Sequence, residues 1–118
     1  MCVRAAVCAA LDDGTIDVLA SGHAPADAVE DRLPFALARA GGTGLATLLG
    51  VTLGAGLELI DALRLLTCAP ADLLNIPAGR LEIGREADLC LFDPDEVWTV
   101  GAGSLPGRAQ NTPFAGRK

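Results

Sequence analysis

The sequence predicts an α/β fold, and three observations carry that prediction. A helix-forming run, VRAAVCAAL (3–11), is stopped by Asp12-Asp13-Gly14 and followed at once by a short apolar run, TIDVLA (15–20). Between residues 45 and 76, leucines recur at helical spacing. From residue 77 the texture changes to short β-like runs separated by Gly and Pro-Asp turns. Helix, tight stop, apolar strand and further helices is the alternation of α/β proteins.

Composition bounds what such a chain does. At 118 residues and 51% hydrophobic, it has room for one domain burying roughly two-thirds of its unfolded surface. A complete (β/α)₈ barrel, which needs about 250 residues, does not fit. Nine Lys+Arg against fifteen Asp+Glu give a net charge of -6, which provides no electrostatic footprint for nucleic acid or an anionic membrane. Gly, Asp, Glu or Arg interrupts every apolar run before the ~18–20 residues of a membrane span.

Taken in order, residues 3–11 are strong or neutral helix formers. Arg4 ahead of the apolar stretch Ala5–Leu11 has the look of a signal peptide, but two aspartates stand where a small-residue cleavage site belongs, and the segment reads as a helix. In TIDVLA, Thr15, Ile16, Val18 and Leu19 favour a strand, and the near-continuous apolarity suits a parallel strand covered on both faces. The next segment, SGHAPADAVEDRLPF (21–35), is polar, holds two prolines and contains the one histidine of the chain. Long loops after parallel strands are often functional. A glycine cluster (Gly41, Gly42, Gly44) then leads into Leu45, Leu48, Leu49 and Leu53, which share a helical face weakened by Gly50 and Gly54. Leu59, Ile60, Ala62, Leu63, Leu65 and Leu66 make another, broken at Ala69-Pro70, where Pro70 fits the first turn of a further helix. RLEI, DLCLF and VWTV, between 80 and 100, read as three strands of a small antiparallel sheet. Residues 101–118 read as an extended tail with turns.

Cysteines at 2, 8, 68 and 90 form no CxxC pair and sit among Ala, Val and Leu, as buried free thiols do, which points to a cytosolic compartment. His23 is the natural candidate for metal or acid–base chemistry, yet neither His-x₃-Asp to Asp27 nor His-x₆-Glu to Glu30 is a specific ligand spacing; a hydrogen-bonded loop histidine is the competing reading. Ser21, His23 and Asp27 supply the residue types of a triad, but no GxSxG elbow accompanies them. Gly41-Gly42-Thr43-Gly44 ahead of a helix offers backbone amides to an anion, or is simply a tight turn into the helix; the Gly-x₄-Gly-Lys pattern of a phosphate loop is missing. Acidic pairs such as Asp12-Asp13 and Glu30-Asp31 read as solvated surface.

The order of motifs, DDGTIDVLASGHAPADAVEDRLPF, GGTGL, LTCAPADLLNIPAGRLEIGREADLCLFDPDEVWTV and NTPFAG, resembles the C-terminal part of bacterial dihydroorotases, of the metal-dependent amidohydrolase superfamily. ADL-x-LFDP also fits sibling hydantoinases and allantoinases; NTPF with the DGTID–HAP pairing favours dihydroorotase. The resemblance implies a C-terminal fragment of a (β/α)₈ barrel followed by strands of a flanking β-sandwich, with 1–76 ending the barrel and 77–118 giving sandwich and tail. It makes 15–20 the eighth barrel strand, 43–55 the following helix, and the loop from Ser21 the place for chemistry, since such barrels act at the C-terminal ends of their strands. The implied activity is interconversion of dihydroorotate and N-carbamoyl-aspartate in pyrimidine biosynthesis, with zinc activating water.

Against the family's Asp-His-Ala-Pro-His motif this chain has Gly22-His23-Ala24-Pro25-Ala26. Gly22 stands at the position of the Asp that serves as metal ligand and general base, and it has no side chain for either task. Ala26 stands where a histidine contacts substrate, and Ala40 and Gly41 stand where two loop residues reach it partly through backbone. The His-x-His pair, later histidines and bridging lysine of the family have no counterpart; Lys118 is the one lysine and lies in the tail. The expectation is a chain with no intact catalytic group and no zinc of its own, completed by the rest of the barrel or a second chain. Two other readings stand beside it: a non-catalytic dihydroorotase-like subunit supporting aspartate carbamoyltransferase, and a remnant without a role.

Overall fold

A computed structural model describes residues 3–27, 33–101 and 103–118. Its elements are helix α1 (Val3–Asp12), a 3₁₀ turn (Leu45–Thr47), and helices α2 (Leu48–Leu53), α3 (Leu59–Leu66) and α4 (Cys68–Leu73). The described residues form two compact units, one from 1–20 and 49–92, the other from 21–48 and 93–118. None of the helices is long and apolar enough to cross a membrane.

In the first unit, α1 forms where its alanines predict it, and buries no residue. Its end is closed by Asp13, whose amide donates to the Ala9 carbonyl (2.9 Å) and whose Oδ1 accepts from the Thr15 amide (2.9 Å). Hydrogen bonding from Thr15, by side chain and then backbone, holds the Asp13 carboxyl below the usual carboxylate range.

Helices α3 and α4 pack on one another and supply the small core of this unit: Ala62, Leu65 and Ala71 are buried. Ala62 and Leu65 lie three apart and so share a face. Of the remaining predicted face, Leu63 and Leu66 are half-buried and Leu59 and Ile60 exposed. The helices separate at Thr67, whose hydroxyl donates to the Leu63 carbonyl (2.7 Å). Pro70 falls in the first turn of α4, where its missing N–H has no intrahelical partner to lose. At the other end Asn75 takes a left-handed conformation (φ 53) and the Ile76 amide donates back to the Ala71 carbonyl (3.0 Å), which stops the helix ahead of Pro77. The chain then folds back, and Arg80 grips Asp72 through two parallel bonds of 2.7 and 2.6 Å.

The expected strands are the main correction. Among the described residues no strand forms, and one isolated parallel bridge, His23 with Gly42, is present. Residues 15–20, expected as a barrel strand, form no strand. The Ile16 amide donates to the Ala10 carbonyl (2.9 Å) and the Leu19 amide to the Leu65 carbonyl (3.1 Å). Both acceptors lie in the last turn of a helix, where carbonyls lack intrahelical partners. A parallel strand needs neighbouring strands along its edges, and here helix ends take those bonds instead. RLEI, DLCLF and VWTV likewise form no ladder, although their turns exist. The Glu96 amide donates to the Asp93 carbonyl (3.3 Å) around Pro94, and the Arg85 amide to the Glu82 carbonyl (3.1 Å) around Gly84. The turns are local and form; the ladders are not local and do not. In consequence Ile83 and Leu91 are fully exposed, and Leu81 and Leu89 largely so.

In the second unit Val100 and Leu105 are buried. The tail is tied in through Val100, whose amide donates to the Arg117 carbonyl (2.9 Å) and whose carbonyl accepts from the Gly116 amide (2.7 Å).

Candidate loop cluster at Asn111

Within the second unit three segments that are distant in sequence meet: the loop 21–27, the turn 41–44 and the tail at 111. The Ala24 amide donates to the Gly42 carbonyl (2.9 Å), and the Thr43 amide to the Asn111 carbonyl (2.7 Å). The Thr43 hydroxyl donates to the same carbonyl (3.2 Å), and Thr43 is buried. The Asn111 side chain then joins loop to turn. Its Oδ1 accepts from the Ala26 amide (3.0 Å), and its Nδ2 donates to the Ala24 carbonyl (3.2 Å) and, at 3.5 Å, to the Gly41 carbonyl.

His23 closes the other side. Its Nδ1 accepts from the backbone amides of Gly44 and Leu45, each at 3.3 Å. In both bonds the ring nitrogen is the acceptor. The His23 amide donates to Ser21 Oγ (3.3 Å). Gly44 is glycine for space: a Cβ there would lie 2.5 Å from the Ser21 carbonyl oxygen.

These bonds decide among the readings open at the sequence level. The hydrogen-bonded loop histidine is what the structure contains. The Ser-His-Asp arrangement, disfavoured by the sequence, does not form: Nδ1 faces two amides where a triad carboxylate would orient the ring. The anion cradle does not form either, since the amides of Thr43, Gly44 and Leu45 are already spent on Asn111 and His23, leaving the tight turn into a helix.

The family positions are placed as follows. Ala26 is buried and Gly41 lies against Ala24, and the Asn111 carboxamide bonds the backbone of both Ala26 and Gly41. Gly22 begins the same loop at φ +56, with no heavy atom within 4 Å of the place its Cβ would occupy. Ala40 is exposed next to Gly41, and Asp17 and Asp27 are exposed. Glu30 and Asp31 lie outside the described residues. Asn111 is the residue that motif reading passed over: it stood in NTPF as a mark of resemblance, with no role.

The zinc ion implied by the resemblance does not fit this donor set. Among the described residues no three His, Cys, Asp or Glu side chains converge. Gly22 offers no ligand atom, and Nδ1 of His23 is engaged. Cys8, Cys68 and Cys90 are free thiols outside this unit. A cavity of about 210 Å³ opens in the first unit, lined in part by Asp12, Glu58, Asp61 and Arg64, and includes no residue of the loop cluster.

Comparison with known proteins matches the Amidohydrolase family to residues 3–118. A dihydroorotase of Anaplasma phagocytophilum is 40% identical over 98% of this chain and 27% of its own length. One of Syntrophotalea carbinolica is 43% identical over 88% of this chain and 25% of its own length. One of Anaeromyxobacter dehalogenans is 40% identical over 92% of this chain and 26% of its own length. The chain thus spans about a quarter of the curated relatives it matches.

Proposed function

The chain belongs to the amidohydrolase family, and from that premise we propose that it serves a dihydroorotase-type reaction as one portion of a larger catalytic unit. The reaction is the interconversion of dihydroorotate and N-carbamoyl-aspartate in cytoplasmic pyrimidine biosynthesis. The observation that carries the reading is the meeting of HAP, GGTG and NTPF at Asn111, three separated motifs gathered into one loop cluster. Residues 1–76 belong to the end of a barrel and 77–118 to a flanking sandwich and tail. Ala26, Ala40 and Gly41 mark where substrate is contacted.

Alone, the 118-residue chain is catalytically silent in this reading. Gly22 provides no general base, and the metal ligands come from the rest of a barrel or a second chain. The exposure of four large apolar side chains within one short segment, Leu81, Ile83, Leu89 and Leu91, supports such completion.

One observation favours a second reading. The loop cluster is held by Asn111 and His23 while the positions that the resemblance makes reactive hold Gly22 and Ala26. A non-catalytic subunit supporting aspartate carbamoyltransferase would keep the scaffold and dispense with the chemistry. Purifying the protein from its source cell, measuring its intact mass and assaying dihydroorotate in both directions separates the two. The catalytic reading expects a mass well above 12.0 kDa, or a companion chain, together with turnover. A complex with aspartate carbamoyltransferase and no turnover would replace it with the second.

A further inference from the structure

We propose that Asn111 is a positioning residue of this site, holding the 22–26 loop in register with the 41–43 turn; the inference rests on the functional reading above.

Its carboxamide meets the loop as a neighbouring peptide group would. One oxygen takes the Ala26 N–H at 3.0 Å, and one nitrogen gives to the Ala24 C=O at 3.2 Å. Both partners are backbone, so the contact is indifferent to the side chains of the loop. It specifies only where the loop backbone lies. The same Nδ2 reaches the Gly41 carbonyl at 3.5 Å, and the Asn111 main-chain carbonyl holds Thr43. A single residue therefore sets both segments that the family reading assigns to substrate contact.

The other end of the loop is fixed independently, by His23 Nδ1 on the Gly44 and Leu45 amides. With His23 and Ala26 both tethered, the loop backbone at these two points cannot shift without breaking a bond. Asn suits position 111 because the contact demands a donor and an acceptor on one short planar group. Asp keeps the acceptor but sets a second oxygen against the Ala24 and Gly41 carbonyls. Leu keeps the shape and loses both.

The test is residue-resolved hydrogen exchange on the native polypeptide, comparing wild type with Asn111→Leu and Asn111→Asp, together with titration of dihydroorotate. In wild type the Ala26 amide is protected at least about 10-fold relative to an unbonded amide. Asn111→Leu removes that protection, and Asn111→Asp, which retains the acceptor oxygen, restores most of it. The Thr43 amide, bonded to the main chain of residue 111, stays protected in both variants, and dihydroorotate affinity falls in both. An unprotected Ala26 amide in wild type overturns the proposal without any variant. Equal exchange in wild type and Asn111→Leu overturns it too. So does acceleration at Ala26, Thr43 and Val100 alike, the signature of a general stability role. A wild-type protein that protects Ala26 but does not bind dihydroorotate sinks the functional reading and leaves the positioning role of Asn111 standing on the exchange data.

Discussion

The Gly44 amide donates to the Nδ1 of His23 at 3.3 Å, across 21 positions of sequence. The bond places the one imidazole of the chain at the start of the 3₁₀ turn that leads into α2, where the first backbone N–H groups have no helical partner. A side chain on the loop thus does the work that a capping Ser, Thr or Asp usually does from within the helix.

His23→Ala orphans the Gly44 and Leu45 amides together. The expected cost is about 1 kcal/mol, with faster exchange confined to residues 43–48. His23→Asn, which retains a side-chain acceptor, recovers part of it. Unchanged exchange at Gly44 in the alanine variant would contradict this account.

Gly44→Ala places a methyl group 2.5 Å from the Ser21 carbonyl oxygen, a contact that backbone must move to relieve. Destabilisation of roughly 1–3 kcal/mol is expected, read as a lower urea midpoint for the second unit. Gly50→Ala, where nothing lies within 4 Å, serves as the control and is expected to be neutral or mildly stabilising.

Gly22→Asp is accommodated. The position is open and its φ of +56 is one that Asp tolerates at a cost of roughly 1 kcal/mol. Hydrolysis is nevertheless not expected to be restored in the 118-residue chain, because among the described residues no set of metal ligands accompanies the new carboxylate. Zinc-dependent turnover of dihydroorotate by this variant alone would sink that expectation.

Asp72 carries a pH dependence whose direction follows from its partner. The Arg80 hydrogen bonds hold the Asp72 carboxyl below its ordinary value; desolvation opposes them in part, and the Arg80 charge adds a smaller lowering. A carboxyl depressed in the folded state stabilises it above the unfolded value of about 3.9, and the contribution is lost as pH falls through the lower folded value. Acidification below about pH 4 is therefore expected to release residues 77–80 from α4. Both side chains are well exposed, so added salt weakens the same contact at neutral pH. Asp72→Asn removes the acid-limb dependence; amide shifts of residues 77–80 followed against pH read it directly.

Ile83→Lys and Leu91→Lys remove apolar surface that is fully exposed. Self-association and dye binding by the purified chain should fall, while the unfolding free energy read from the urea midpoint stays within about 0.5 kcal/mol of the parent. A midpoint that drops by several times this amount would mean that these side chains are packed. The same exposure predicts a broad urea transition for the parent in place of a sharp monomeric two-state one.

What the residues announce in advance is what short-range physics controls. The alanines of 3–11 and the Asp12-Asp13-Gly14 stop are visible as α1 and its end, Pro70 as a first-turn residue of α4 although the break itself falls at Thr67, and Pro94 and Gly84 as turns. In each case donor, acceptor and conformational preference lie within a few residues of one another. The family is legible too, in the order of HAP, GGTG and NTPF, and the family match covers residues 3–118.

The strands at 15–20 and 80–100 were not decided by the residues that compose them. β-propensity describes fitness for a pleated, partnered surface, and the hydrogen bonds that make a strand belong to its neighbours. Nor does the local text near His23 say that its Nδ1 meets Gly44 and Leu45, or that Asn111, 85 positions beyond Ala26, closes the loop. By itself the sequence determined the helices, the turns and the lineage, because each is written in neighbouring residues. Only the tertiary structure decided which backbone groups His23 and Asn111 satisfy, because a side chain's partner is set by whatever the chain brings within about 3 Å of it.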